Sequence, residues 1–273
     1  MSNPILHSSM NNEAVKPVTP AAPYIGGKRI LSKRIVQRIK EVPHNCYAEP
    51  FVGMGGIFFR RDQKAKAEFI NDWSRDVANF FRVLRHHYEP FIDQIAWLVS
   101  SRDEFEQMRR CDADTLTDLQ RAARFFYLQR ATFGGKVKSR SFGVSVSGSA
   151  RFNPLSVRAQ LAAIRDRLAS VTIERLPWAD FIRRYDRAGT LFYLDPPYFG
   201  CENDYGADMF SRDEFVQMAD QLRGIKGRFI LSINDKPQVR DIFAGFDFEE
   251  VDCTYTVGGN HKAAVFPELI ISN

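Results

Sequence analysis

Apolar residues recur at helical spacing in RILSKRIVQRIKEV, where Ile30, Ile35, Val36 and Ile39 fall on one stripe. The segment CYAEPFVG reads as a short strand ending at Gly53, and IFFRR after it predicts the start of a helix. AEFIND predicts a second strand closing at Asp72, and Val77, Phe80, Phe81 and Leu84 mark the helix that follows. Strand, glycine-rich turn, helix and strand make a βαβ unit, the building block of a parallel sheet.

Between about residues 74 and 158 the pattern is helical. Ser101 with Glu104 three residues on predicts a capping box, and LTDLQRAARFFYLQR continues at helical spacing. FGGKVKSRSFGVSVSGSARFN then loses all helical period. Alternation returns in VTIERL, followed by a short helix and the strand TLFYL. Ser211 and Glu214 open a further helix, EFVQMADQL, and RFILSIND is the next strand. FEEVDCTYTV and AVFPELIIS predict a closing β-hairpin. The fold class expected is α/β: a doubly wound sheet over residues 21–73 and 159–273, interrupted by a helical and basic-loop insert over 74–158. Residues 1–20, rich in Ser, Asn and Pro, read as a flexible tail. In such a sheet the ligand sits beyond the C-terminal strand ends, at the switch point. Both EPFVGMGG and LDPPY fall at that edge.

Composition narrows the function classes. The 273 residues are 44% hydrophobic and 26% charged, ordinary for a globular protein with a substantial core. A net charge of +5 tilts the expected partner towards a polyanion. No apolar run approaches the roughly 20 residues of a membrane span, so no membrane association is expected. The N-terminus lacks the basic flank and apolar block of a signal peptide. Cys46, Cys111, Cys201 and Cys253 form no C-x-x-C pair, which suggests a reducing, cytoplasmic setting. The histidines are scattered apart from His86–His87, and no metal is expected.

Gly53, Gly55 and Gly56 stand between a strand and a helix, where glycine lets the backbone turn tightly and approach a nucleotide-like ligand. The spacing is G-x-G-G, so a simple tight turn is an equal reading. Asp72 ends the next strand, 19 residues after Gly53, where an acidic group commonly takes ribose hydroxyls; the bland alternative is an aspartate at a helix N-terminus. PYIGGKR is no phosphate-binding loop, and alone it suggests only a solvated Lys28.

In LDPPY a buried strand runs into a carboxylate, two prolines and a tyrosine. A surface turn needs no tyrosine. The exocyclic amine of a base is a poor nucleophile because its lone pair is delocalised into the ring. Two acceptors on its N–H bonds, the Asp195 carboxylate and the Pro196 carbonyl, would draw it towards a tetrahedral amine. The prolines fix that carbonyl in place, and Tyr198 offers a flat face for an extruded base. From Leu119 to Arg165 there are nine basic residues and no acidic one, although acids make up 33 of the 273. That stretch predicts a phosphate-tracking surface, with Arg130, Lys136, Lys138 and Arg140 as its DNA contacts, or else a solvated helix pair. Phe133 and Phe142 in the loop either wedge the gap left by a flipped base or anchor the loop to the core.

YIGGK, EPFVGMGG, IND and DPPY, in this order, resemble the Dam-type (D12 class) DNA adenine-N6 methyltransferases, over about Tyr24 to Ser272. The resemblance implies a class I, Rossmann-like methyltransferase fold using S-adenosylmethionine, with DNA as partner. It implies that Tyr24 and Lys28 contact the cofactor, that Asp72 holds its ribose, and that Asp195 faces both cofactor and target amine. Glu49, Phe51 and Gly53 line up with the cofactor loop. The insert departs from the family pattern: only ARFN resembles the longer recognition run, so a relaxed or different short site is expected, as in compact prophage-like methylases. Methylation of cytosine N4, an RNA base or a protein glutamine stays open beside adenine, as does a DNA-binding protein that has lost catalysis.

Overall fold

The computed structural model describes residues 12–24, 28, 30–144, 147–200, 210–256 and 263–273. Residues 25–27 of the YIGGK motif, Cys201 and the first eleven residues lie outside them. In chain order the elements are β1 (Glu13–Ala14), α1 (Ser32–Glu41), β2 (Cys46–Glu49), β3 (Gln63–Lys64), β4 (Ala67–Asn71), α2 (Arg75–His86), α3 (Tyr88–Ala96), α4 (Arg102–Arg110) and α5 (Asp118–Ala131). They continue with α6 (Pro154–Arg167), β5 (Val171–Glu174), α7 (Trp178–Tyr185), β6 (Thr190–Leu194), α8 (Arg212–Arg223), β7 (Arg228–Asn234), α9 (Pro237–Ile242), β8 (Asp247–Thr256) and β9 (Ala263–Ser272).

Seven strands form one sheet in the order β5-β4-β2-β6-β7-β9-β8, and β9 runs antiparallel to both of its neighbours. From β2 the chain winds outwards through β4 to β5, then returns to β6 on β2's other side. The switch point therefore lies between β2 and β6, as the doubly wound reading requires. This is the Rossmann-like arrangement expected, closed by the antiparallel pair β8–β9.

Period-two alternation divides the strand side chains between two cores. Leu191, Tyr193 and Ile230 join one cluster with α1, α2, α3, α5 and α6, whereas Phe192, Leu194, Phe229 and Leu231 join the other with α7, α8 and α9. Helix α5 is buried nearly all round, through Ala122, Phe125, Phe126 and Leu128, because α2, α3 and α4 pack around it. The helices of the insert thus have no core of their own; they extend one face of the sheet. Helix α6 runs straight through residue 158, where the insert was expected to end.

Three local expectations are corrected. IFFRR gives only a single 3₁₀ turn, Phe58–Arg60, because Arg61 turns extended and drives its buried guanidinium onto Glu68 at 2.8 Å. Ile30 lies exposed ahead of α1, and Leu31 takes the buried position instead. Residues 12–20 are not a loose tail: β1 pairs with β3, and the Val18 N–H donates to the Phe59 carbonyl at 2.7 Å. Ser101 does cap α4, accepting from the Asp103 and Glu104 N–H groups. Among the described residues no helix is long and apolar enough to cross a membrane, and Cys46 and Cys111 are free thiols.

Candidate active site

The C-terminal ends of β2, β4 and β6 open into one cavity of about 730 Å³, within the range of small-molecule sites. Its walls include Tyr24, Lys28, Glu49, Phe51, Gly53, Asp72 and Asp195, so every residue expected at the cofactor is brought to one place. Gly53 earns its glycine twice. Its φ is +50°, and a Cβ there would come within 3.0 Å of the Tyr24 ring that lies over it.

Asp72 is held by two backbone donors, Gly53 N–H to Oδ2 and Ser74 N–H to Oδ1, each at 2.9 Å. The carboxylate thus ties the β4 end to the glycine turn. It helps order the entry to α2 as well, so the bland reading holds in part. Burial pushes its pKa up to about 6, against those two hydrogen bonds. The adjoining Asn71 was not singled out by sequence, yet it clamps the rim. Its amide donates to the Pro50 carbonyl at 2.9 Å and the Leu176 carbonyl at 3.1 Å, and its oxygen accepts from Leu176 N–H at 2.8 Å.

Lys28 is the largest surprise. Far from solvated, its side chain is 1% exposed, with Nζ 2.9 Å from Asp195 Oδ1 and 3.6 Å from Glu268 Oε2. It donates to the Tyr198 hydroxyl at 2.7 Å and lies 4.0 Å from the centroid of that ring. Tyr198, engaged by Lys28, and the buried Pro196 are not among the residues that line this cavity, whereas Pro197 is. Burial raises the Asp195 pKa to about 6; Lys28 opposes this, and Glu268 adds to it. Glu268 comes from the closing hairpin, and only its place in ELIIS marked it in the sequence.

The DPPY turn is fixed from β7. Asn234 accepts from Phe199 N–H at 2.9 Å and donates to the Phe199 carbonyl at 3.0 Å. The sequence contains IND twice, at the ends of β4 and β7, and in both copies the asparagine clamps a neighbouring strand end. Only the first aspartate faces the cavity; Asp235 pairs with Arg240 at 2.7 Å. Glu49 is buried, and Tyr47 donates to its Oε1 at 2.6 Å. Burial pushes Glu49 up to about 8.

The cavity fits S-adenosylmethionine by its chemistry. Phe51, Trp178 and Phe210 give apolar faces for a flat ring, Asp72 an acceptor for hydroxyls, Asp195 an acidic group for a cationic centre and Glu49 a further hydrogen-bonding group. Trp178 is oriented by its indole N–H on Glu214 Oε1 at 2.9 Å, while the other Glu214 oxygen accepts from Ser211 N–H at 2.7 Å. The capping pair read from sequence thus also shapes the pocket. Among the described residues no group of three His, Cys, Asp or Glu side chains is placed to hold a metal ion.

The basic stretch is corrected more strongly. Its missing counter-charges come from neighbouring elements: Arg121 pairs with Asp76 at 2.5 Å and Asp114 at 2.7 Å, and Arg158 with Glu89 at 3.5 Å. Arg130 points inward, lines the cavity and donates to the Ala21 carbonyl at 3.0 Å. Arg140 is half-buried and donates to Gln129 Oε1 at 3.1 Å. Lys136 and Lys138 remain exposed on the loop. The two phenylalanines divide: Phe142 packs on Phe105, centroids 5.5 Å apart, whereas Phe133 stays 56% exposed. ARFN is used structurally, for Phe152 is buried against Tyr127 and Asn153 caps α6.

A family model described as D12 class N6 adenine-specific DNA methyltransferase matches residues 24–257. The chain is similar to "Type II methyltransferase M1.LlaDCHI" of Lactococcus lactis subsp. cremoris, 27% identical over 93% of this chain and 95% of that protein. It is similar to "Type II methyltransferase M.MjaIII" of Methanocaldococcus jannaschii, 27% identical over 94% and 99%. A "DNA adenine methylase" of Haemophilus influenzae is 22% identical over 94% and 96%. Motif order, strand order and the match across most of its length agree: the chain belongs to the D12 class of N6 adenine-specific DNA methyltransferases.

Proposed function

We propose that the protein methylates N6 of an adenine turned out of duplex DNA, and that Asp195 and Pro196 grip the two amine hydrogens. S-adenosylmethionine, when bound, supplies an electrophilic methyl group on a sulfonium centre. Tyr24, Glu49, Phe51, Gly53 and Asp72 would hold it. The Asp195 carboxylate accepts one N–H of the amine and the Pro196 carbonyl the other, which draws the nitrogen towards a tetrahedral shape with its lone pair exposed. The buried Pro196 and Pro197, with Asn234 locking Phe199, keep these acceptors from moving. After transfer the amine carries an extra proton, and Asp195 is placed to take it. Lys28 offsets part of the charge of Asp195 and Glu268.

The observation that carries this reading is the convergence of Asp195 with all the proposed cofactor residues on one cavity at the switch point. Lys136 and Lys138, exposed on the loop of the helical insert, are proposed to meet DNA phosphates. The insert, residues 74–158, is proposed as the DNA-facing region, with a short or relaxed target site. The test is to incubate the protein with duplex DNA and methyl donor, digest to nucleosides and identify products by mass spectrometry. N6-methyldeoxyadenosine is expected; N4-methyldeoxycytidine without it would refute the reading.

A further inference from the structure

The cavity wall nearest the N-terminus is a strap, Thr19–Tyr24, with prolines at 20 and 23 and no regular secondary structure. Such a segment cannot satisfy its own carbonyls, so other elements must do it. Gln160 of α6 donates to the Thr19 carbonyl at 3.2 Å and the Pro20 carbonyl at 2.6 Å. Arg130 of α5 holds the Ala21 carbonyl, and Gln129 holds that of Pro23 at 2.8 Å. Every one of these donors comes from the helices that flank the basic loop.

Gln129 has a further connection. It is fully buried, and the second hydrogen of its amide goes to the Gly135 carbonyl at 2.7 Å, inside the basic loop. Its oxygen accepts from Arg140 at 3.1 Å, at the far end of the same loop. One side chain thus joins both ends of the loop to the residue before Tyr24. Loop and strap also touch directly. Gly135 has φ +68°, and a Cβ there would lie 2.9 Å from Pro23 C and Tyr24 N. The loop backbone at Gly135 therefore packs directly against the strap.

We propose that Gln129 is a positioning residue that couples the basic loop to the cofactor wall. It holds Pro23, and through it the Tyr24 ring over Gly53, while its carbonyl oxygen registers where Arg140 lies. Drawing Arg140 towards a phosphate changes what the Gln129 oxygen accepts, and with it the hold on Pro23. Linkage then requires DNA and cofactor to alter each other's affinity by one common factor. The DNA half of this rests on the loop meeting DNA, as proposed above; the strap half does not.

The experiment is calorimetric titration of the whole protein with S-adenosylhomocysteine, alone and with saturating short duplex. Coupling in the wild type should be at least about fivefold. Gln129→Leu should weaken S-adenosylhomocysteine about tenfold without DNA and bring the coupling factor close to one, with circular dichroism confirming the fold. Arg140→Ala tests the same link from the loop side and should also abolish coupling. Lys136→Ala with Lys138→Ala should weaken DNA but leave S-adenosylhomocysteine binding to the free protein unchanged. Equal affinity and equal coupling in wild type and Gln129→Leu would overturn the proposal. A duplex that fails to bind at all would instead remove the DNA reading, and the DNA-free titration would still decide the strap.

Discussion

Lys28 and Asp195 come from opposite halves of the chain, yet their charged atoms meet at 2.9 Å at the floor of the cavity. The lysine arrives from a loop ahead of α1, and the aspartate from the tip of a fully buried strand. Their pairing sets the ionisation on which the proposed chemistry depends. Burial lifts Asp195 to about 6 and Lys28 pulls it back. The carboxylate is the stronger acceptor of an amine hydrogen, and only it can take up the proton released after transfer. Below about pH 6 the logarithm of kcat/KM should therefore fall by one for each pH unit, with a plateau above. Lys28→Met removes the opposing ammonium, so the acid limb should move to higher pH. A pH–rate profile of both proteins checks this.

Glu49 titrates later still, at about 8, because it is buried. At neutral pH it is mostly protonated, so Glu49→Gln should bind S-adenosylhomocysteine within a few-fold of wild type. The folded state holds this proton more tightly than the unfolded chain, whose value is near 4.5. The contribution to stability is thus complete below that value and lost as pH rises to about 8. Glutamine cannot titrate. Thermal melts should show the variant gaining on wild type by at least about 2 °C across that window.

Gly53→Ala should weaken cofactor binding about tenfold. The positive φ costs an L-residue about 1–2 kcal/mol, and the new methyl presses on the Tyr24 ring. In a Tyr24→Ala background the same substitution should cost less. That non-additivity, read in a double-mutant cycle of S-adenosylhomocysteine affinity, reports the ring-over-glycine contact itself.

Asn234→Ala leaves both backbone groups of Phe199 without their clamp. The site is only half-buried, so a stability loss of about 1 kcal/mol is expected, near the lower end for broken hydrogen bonds. The loosened turn should lower kcat more than it raises KM. Differential scanning calorimetry with steady-state kinetics checks both.

The sheet and the residues that line the cavity were legible in the sequence because strand runs, glycine turns and strand-end acids are local signals. Every residue named for the cofactor stands in the cavity. The basic stretch was legible only in part, since Arg121, Arg130 and Arg158 are engaged by carboxylates or carbonyls from other elements. A count of charge along the chain cannot see partners brought in by folding. PYIGGKR taken alone suggests a solvated Lys28 for the same reason: the partners that bury it lie just past β6 and on β9, remote in sequence. The helix expected after the glycine turn failed because the buried Arg61–Glu68 pair overrode a weak helical pattern.

The acceptor role of Asp195 is tested most directly by single-turnover transfer of a labelled methyl group to duplex DNA by Asp195→Asn. Asparagine keeps the shape of the side chain but not its charge. With DNA and cofactor binding retained, transfer should fall by about 10²–10³-fold, the scale set by losing one preorganised electrostatic contact. Transfer within a few-fold of wild type would contradict the account.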